Sequence, residues 1–308
     1  MRYRFALFLF SLLILGLIIF ASNPAELANK LSLSNPLYIM LGLAVSSVAN
    51  AFRVLKWSVL VDVKFSELAP IQMLGMALSN FTPAKAGEPA KTLLLKMKNG
   101  INVSTSLPSV IWERINDIIV LLFFSIIILR VLPLRNDFLI VSWLSMFIFL
   151  TVVVAFLVIL KNKKTGIKFF SFLRRLPAGN KIPATFADTF YKNRIRKRKI
   201  FLGMFLTIIP WTMEGLILYL SFTALGINSP GVEVLAGMIA LSALVGVVST
   251  LPGGLGSFEA VMLLLLASFG IAGSSAVAGV LLYRFLSFWY VALLGGLSFL
   301  FLSRKIDI

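Results

Sequence analysis

Charged residues interrupt apolar stretches of this sequence at a few places, and these are the residues whose types could do chemistry. Arg114 and Arg284 carry planar guanidinium groups, which can hold a phosphate through two parallel hydrogen bonds. Carboxylates stand near them in the sequence and could orient a guanidinium group or carry a proton. These acids are Glu88, Glu113, Asp117 and Glu259. The pattern predicts a site for an anionic group.

Each arginine also has a purely structural interpretation. A charge near the centre of a bilayer costs about 2.5 to 3.5 kcal/mol, so it normally faces a partner or an aqueous cavity. Arg114 has Asp117 three positions further on, on the same helical face, and an ion pair explains it equally well. Arg284 has no acid in its own apolar run. Its partner is therefore Glu259, Glu214 or a bound anion, unless it reaches to the interface.

Composition excludes several classes of site. The chain has no cysteine and no histidine, which removes disulfides, thiolate or imidazole zinc sites and Ser-His-Asp triads. No phosphate-binding loop motif is present, so we expect neither a cofactor nor direct ATP drive. A mean hydropathy of +0.97 with 13% charged residues is typical of a polytopic membrane protein. In such a chain the net charge of +17 indicates anionic membrane lipids, and not nucleic acid, as partners.

Six apolar runs are long enough to cross about 30 Å of hydrocarbon. They cover 5–21, 36–60, 107–132, 138–160, 200–225 and 274–302. The loop 161–199 holds thirteen Lys or Arg against one acid, which places it in the cytoplasm. Both termini then fall inside, and 5–21 is interpreted as a retained anchor. We expect a multi-pass protein in the plasma membrane of a prokaryote, with Arg53 and Lys56 near a water interface.

Two further apolar regions, 68–98 and 232–273, are broken by Pro and Gly. The first contains Thr-Pro-x-x-x-Gly-Glu, including Pro83, Lys85 and Gly87, and the second contains Leu-Pro-Gly-Gly-Leu-Gly over 251–256. Broken backbone at membrane depth has to be covered by protein or line a polar cavity. We therefore predict two re-entrant helical hairpins whose tips line an interior site. Pairs of short full spans, with Pro and Gly in ordinary tight turns, are the alternative.

The two hairpins resemble each other, which predicts an internal repeat. In both, a Pro lies four residues before a Gly, an acid follows, and an Arg lies 31 or 32 residues after the Pro. By the loop charges, one hairpin opens inward and the other outward, as in an inverted-topology repeat. The predicted fold is a single all-α membrane domain over 1–308. Its parts are an anchor helix and loop (5–35), repeat 1 (36–132), a span and basic loop (133–199) and repeat 2 (200–302).

The stretches SNFTPAKAGEPAKTLLL, WERINDIIVLL and STLPGGLGSFEAVMLLLL resemble, in order and spacing, the membrane domain of the lysylphosphatidylglycerol synthetase/flippase family. The resemblance implies a flippase-like domain for phospholipids or polyprenyl-linked lipids. The family's soluble aminoacyl-transfer domain has no counterpart before Ile308, so aminoacyl-lipid synthesis by this chain alone is not expected. The motif positions it implies are Pro83, Gly87, Glu88, Glu113, Arg114, Asp117, Pro252, Gly253, Gly254, Gly256 and Glu259.

These observations predict a flippase-like lipid transporter that binds an anionic phospholipid or polyprenyl-phosphate headgroup between the repeats. Arg284 and Arg114 would hold the phosphate, and Lys85 would gather headgroups at the mouth of the cavity. Ion coupling and downhill scrambling both remain open. Two alternatives are a membrane enzyme of lipid-linked glycan or headgroup transfer, with carboxylates as general base, and a scaffold for a separate synthase or glycosyltransferase.

Overall fold

A computed structural model describes residues 2–82, 87–132, 147, 150–151, 154, 162–174, 188, 191–192 and 195–304. This part of the chain is helical and contains no strand, which confirms the all-α prediction. The predicted span over 138–160 lies outside the described residues, apart from four isolated positions. Pro83 and Lys85 also lie outside them.

The helices follow the apolar runs closely. The first half contains α1 (Arg2–Ala21), α2 (Pro24–Ser32), α3 (Pro36–Val61), α4 (Phe65–Asn80), α5 (Ala90–Asn99) and α6 (Val103–Val131). The second contains α7 (Lys163–Arg174), α8 (Lys197–Ala224), α9 (Val232–Val248), α10 (Ser257–Ser268), α11 (Gly273–Arg284) and α12 (Tyr290–Ser303). A π-helical turn, Phe285–Trp289, joins α11 to α12. Of the described helices, α3, α8 and the continuous segment Gly273–Ser303 are long and apolar enough to span a membrane. The polytopic helical assignment is thereby supported.

Helices α3 and α8 pack side by side in opposite directions and form the centre of the domain. At one end the Asn35 N–H donates to the Ala224 carbonyl at 2.7 Å. At the other end Lys199 Nζ lies 2.6 Å from an Asp62 carboxylate oxygen. The hydrogen bond and charge of Lys199 hold the pKa of Asp62 below its ordinary value. Polar contacts at both ends therefore fix the register of this pair.

Two hairpins of short helices stand beside this pair. Helices α4 and α5 form the first and α9 and α10 the second. They contain 16, 10, 17 and 12 residues, so even the longest measures only about 26 Å at 1.5 Å per residue. A full span needs about 20 residues. Each hairpin helix is therefore shorter than a straight crossing requires.

The packing between the two halves is reciprocal. Helix α4 of the first half packs on α12 of the second, and α9 of the second half packs on α6 of the first. Both contacts involve a glycine, Gly295 against α4 and Gly237 against α6. A Cβ added to Gly295 would lie 3.0 Å from the Met73 carbonyl oxygen, and one added to Gly237 would lie 3.0 Å from that of Phe124. In each hairpin, the first helix thus packs on the last helix of the other half.

The tips of the two hairpins meet at Gly253. This residue has a φ of +61°, and an added Cβ would lie 2.7 Å from the Asn80 carbonyl oxygen and 2.4 Å from the Phe288 ring. Only glycine adopts such a φ readily. The tip of the second hairpin can therefore lie directly on the end of α4.

We expect Gly253→Ala to reduce the stability of the domain by about 2 to 4 kcal/mol. Roughly 1 kcal/mol comes from the positive φ, and roughly 1 to 3 kcal/mol from overlap with α4 and Phe288. Thermal unfolding in detergent, followed by tryptophan fluorescence, measures the loss. Gly270→Ala is a matched control because its φ is +81° but nothing lies within 4 Å of an added Cβ. Equal losses in the two variants would contradict a close contact between the tips.

Candidate functional site

A cavity of about 150 Å³ lies where the two hairpin tips meet α3, α6, α8 and α11. Both tips contribute to its wall, with Ser79 and Asn80 from the first and Gly253 and Gly254 from the second. Four cations and four acids also line it. They are Arg53, Lys56, Arg114, Arg284, Glu88, Glu113, Asp117 and Glu214. A strongly charged cavity therefore lies inside an otherwise apolar domain.

Glu113 is the centre of the largest charged cluster in this wall. Its side chain is 1% exposed, accepts a hydrogen bond from Gln72 Nε2 at 3.1 Å and forms an ion pair with Lys91. Lys56 Nζ lies 3.6 Å from the same carboxylate. Lys91 also donates to Gln72 Oε1 at 3.0 Å and lies 4.5 Å from the centre of the Trp57 ring. The charge of Glu113 is thus balanced by two buried lysines.

Asp117 and Glu88 extend this cluster towards Arg114. Lys56 Nζ lies 2.7 Å from one oxygen of Asp117, and Arg114 Nη2 lies 2.7 Å from the other. Arg114 Nε lies 2.7 Å from Glu88, whose other oxygen is 3.7 Å from Lys91. Three cations and three acids are therefore linked in one network. We call these six residues (Lys56, Lys91, Arg114, Glu88, Glu113 and Asp117) the central cluster.

A second group of polar contacts joins α3, α8 and α11. Arg53 forms an ion pair with one oxygen of Glu214 and donates to Asn50 Oδ1 at 2.9 Å. The Tyr283 hydroxyl donates to the other oxygen of Glu214 at 2.8 Å. Among the residues that the structure describes, Arg53 is therefore the single cationic partner of Glu214.

Arg284 forms the third group, with the second hairpin. Its Nε lies 2.5 Å from Glu259 Oε1, and Glu259 Oε2 accepts the Gly256 N–H at 2.6 Å. The guanidinium carbon lies 4.0 Å from the centre of the Phe258 ring. Arg284 Nη2 is buried and has no hydrogen-bond partner among the described residues. An unmet buried donor of a charged group is costly, so this atom is suited to a ligand that accepts hydrogen bonds.

The two arginines of the predicted repeat hold equivalent positions. In the first half, Arg114 Nε contacts Glu88, just before the second helix of the hairpin. In the second half, Arg284 Nε contacts Glu259, in the first turn of the second helix of the hairpin. The spacing in the sequence aligned these residues, and the folded chain gives them the same contact. They differ in exposure, since the Arg114 side chain is 34% exposed and that of Arg284 11%.

The structure brings most of the predicted site residues together. Those lining the cavity are Arg284, Arg114, Glu88, Glu113, Asp117, Gly253 and Gly254. Glu259 lies directly behind Arg284, with Gly256 and Pro252 in the same tip. Gly87 belongs to the first tip, where its N–H donates to Thr82 Oγ1 at 2.7 Å. Of the partners considered for Arg284, Glu259 holds it, whereas Glu214 pairs with Arg53.

The expectation that Lys56 lies at a water interface was wrong. Lys56 is 1% exposed and Lys91 is completely buried, because the carboxylates of α6 neutralise both ammonium groups inside the protein. Positive-inside reasoning missed them because it treats every lysine near the end of a span as solvated. The spacing of Arg53 and Lys56, three residues apart on one helical face, was the available signal.

Comparison with known proteins agrees with this architecture. A family model described as "Lysylphosphatidylglycerol synthase TM region" matches residues 7–295. Two UPF0104 membrane proteins of Methanothermobacter thermautotrophicus are 24% and 27% identical; the alignments cover 92% and 96% of this chain and 92% of each relative. A phosphatidylglycerol lysyltransferase of Staphylococcus xylosus is 33% identical over 32% of this chain, which is only 12% of that protein. The full-length similarity is thus to UPF0104 membrane proteins, whereas the similarity to the lysyltransferase covers about a third of this chain.

We expect Lys91→Met and Glu113→Gln each to destabilise the domain by about 3 to 5 kcal/mol, since each leaves a buried charge without its nearest counter-charge. The double variant should lose clearly less than the sum, by at least about 1 kcal/mol. Unfolding of all three variants in detergent measures this coupling. Glu26→Gln, which removes an exposed pair with Lys30, is the control and should change stability by less than about 0.5 kcal/mol. Additive losses would contradict a direct buried pair.

Proposed function

Because the chain belongs to the lysylphosphatidylglycerol synthase TM region family, we propose that it is a flippase-like transporter that binds the phosphate of an anionic lipid headgroup in its central cavity. The observation that carries the proposal is Arg284 Nη2, a buried cationic donor without a partner among the described residues. A phosphate oxygen is a strong acceptor for such a donor, and the charge on both groups strengthens the bond.

The environment of Arg284 supports a ligand rather than a purely structural role. Its Nε donates to Glu259, and its guanidinium carbon lies 4.0 Å from the centre of the Phe258 ring and 5.5 Å from that of Phe288. These contacts fix the fork of the side chain before a ligand arrives. Preorganised donors bind an anion with less loss of side-chain entropy.

The reciprocal packing supports the proposed inverted repeats. Each hairpin lies against the last helix of the other half, and the tips meet beside the cavity. Transporters built from two such halves bind their substrate at the interface and move one half against the other. The short hairpin helices fit segments that enter and leave on one side of the bilayer. A headgroup bound between the halves could then be exposed to each side in turn.

We expect the purified protein in vesicles to move a headgroup-labelled phosphatidylglycerol or polyprenyl phosphate between leaflets. Loss of the label's fluorescence on adding an external quencher measures this movement. Removal of one charge-assisted hydrogen bond in Arg284→Gln should slow it about tenfold or more. The double variant Arg284→Gln with Glu259→Gln keeps the charges balanced and should be slowed similarly while retaining the fold.

Lys30→Ala serves as the control, because Lys30 is a partly exposed cation outside the cavity and should leave movement unchanged. Movement equal to that of the native protein in a folded Arg284 double variant would contradict the proposed role. No movement above that in empty vesicles would contradict transport itself. Chemical conversion of the labelled lipid would favour the enzyme alternative.

A further inference from the structure

The charges of the described residues in and behind the cavity wall add up to zero. Among the described residues, the three groups of contacts contain five cations and five acids. The cations are Arg53, Lys56, Lys91, Arg114 and Arg284, and the acids are Glu88, Glu113, Asp117, Glu214 and Glu259. A bound phosphate diester would add one negative charge to this neutral interior. Uncompensated charge in an apolar domain is costly, so one positive charge should enter with the ligand.

We propose that this charge is a proton and that Glu214 accepts it when the headgroup phosphate binds. The inference rests on the proposed function, because it concerns the same cavity and the same ligand. The proton comes from the aqueous side and forms an O–H bond on the Glu214 carboxylate. No bond of the lipid is made or broken.

Glu214 is the acid with the fewest constraints against protonation. Within the central cluster, Glu113, Asp117 and Glu88 each lie within 4 Å of at least two cations. Glu214 and Glu259 have one cation each, Arg53 and Arg284 respectively. Protonation of Glu214 therefore removes the counter-charge of one cation, Arg53. Protonation of an acid in the central cluster would affect at least two cations.

The hydrogen-bond partners distinguish Glu214 from Glu259. Glu259 Oε2 accepts from the Gly256 backbone N–H, which can only donate. Glu214 Oε2 accepts from the Tyr283 hydroxyl, which can reverse and become the acceptor once the carboxyl carries a proton. Glu214 also lines the cavity, whereas Glu259 stands behind Arg284. Among the ten charged residues, Glu214 is the acid whose contacts tolerate a proton best.

The charged and titratable neighbours of Glu214 show which contacts would change when its carboxylate is protonated. Helix α3 contributes Arg53 and Lys56 to the cavity, and α11 contributes Tyr283 and Arg284. Helix α6 contributes Glu113, Arg114 and Asp117. Helix α9 carries only Glu233, exposed at its first turn, and the π-helical turn carries no charged residue. A neutral Glu214 no longer holds Arg53 by charge. Arg53 and Arg284 could then donate to two oxygens of one phosphate.

The test uses the native protein in weakly buffered detergent with dihexanoyl phosphatidylglycerol, whose phosphodiester keeps one negative charge across the range measured. A pH indicator should report uptake of about one proton for each ligand bound. By linkage, the apparent affinity should rise up to about tenfold for each unit by which the pH falls. The amide of Glu214→Gln resembles the protonated carboxyl, so this variant should bind without proton uptake and with an affinity that does not change with pH.

Glu26→Gln, which lies outside the cavity, should behave as the native protein does. Binding by the native protein without proton uptake would overturn the role of Glu214 and leave the proposed lipid binding intact. The same conclusion follows if binding requires sodium ions and takes up no proton. Absence of binding at every pH would overturn both proposals. Should Glu214→Gln fail to fold, the absence of proton uptake by the native protein still overturns the proposal.

Discussion

The pairing of buried charges is the constraint on which the rest of this domain depends. Water would stabilise each of these ionised groups, and for those that are fully buried the loss of that stabilisation costs several kcal/mol per group. The folded chain recovers it by bringing together residues from distant parts of the sequence, such as Arg53 with Glu214 and Lys91 with Glu113. These contacts connect α3 to α8 and the first hairpin to α6. The charged network therefore fixes how the helices are placed.

A second constraint applies at the hairpin tips, where helices end inside the protein and their backbone N–H groups need hydrogen-bond acceptors. At the second tip, Glu259 accepts the Gly256 N–H and also holds Arg284. At the first tip, Thr82 accepts the Gly87 N–H, while Glu88 holds Arg114. Each turn thus combines a satisfied backbone donor with an arginine positioned by a glutamate. The same local solution appears in both halves, and the cavity lies between the two.

A neutral network surrounding a polar cavity has a consequence for any charged ligand. The network is stable because its charges cancel, so a ligand with net charge disturbs that balance unless a counter-charge enters or a carboxylate is neutralised. Tyr283 makes Glu214 the position where such a change alters the fewest contacts, because a hydroxyl can donate or accept. In the proposed mechanism, headgroup binding and charge compensation are connected through neighbouring side chains of α8 and α11.

Hydropathy and loop charge were enough to predict the helical class and the bounds of the long apolar helices. Each such segment has to be apolar and long enough to cross the bilayer, whatever its neighbours are. The run 36–60 differs from α3 by one residue, and the run 5–21 ends at the same residue as α1. The repeated spacing also aligned Arg114 with Arg284 and Glu88 with Glu259. The burial of Lys56 and Lys91 and the pairing of Arg53 with Glu214 came only from the tertiary structure. Local spacing did indicate the pair of Arg114 with Asp117. Partners 22 to 161 positions apart meet only because the helices pack, and no local pattern records such pairs.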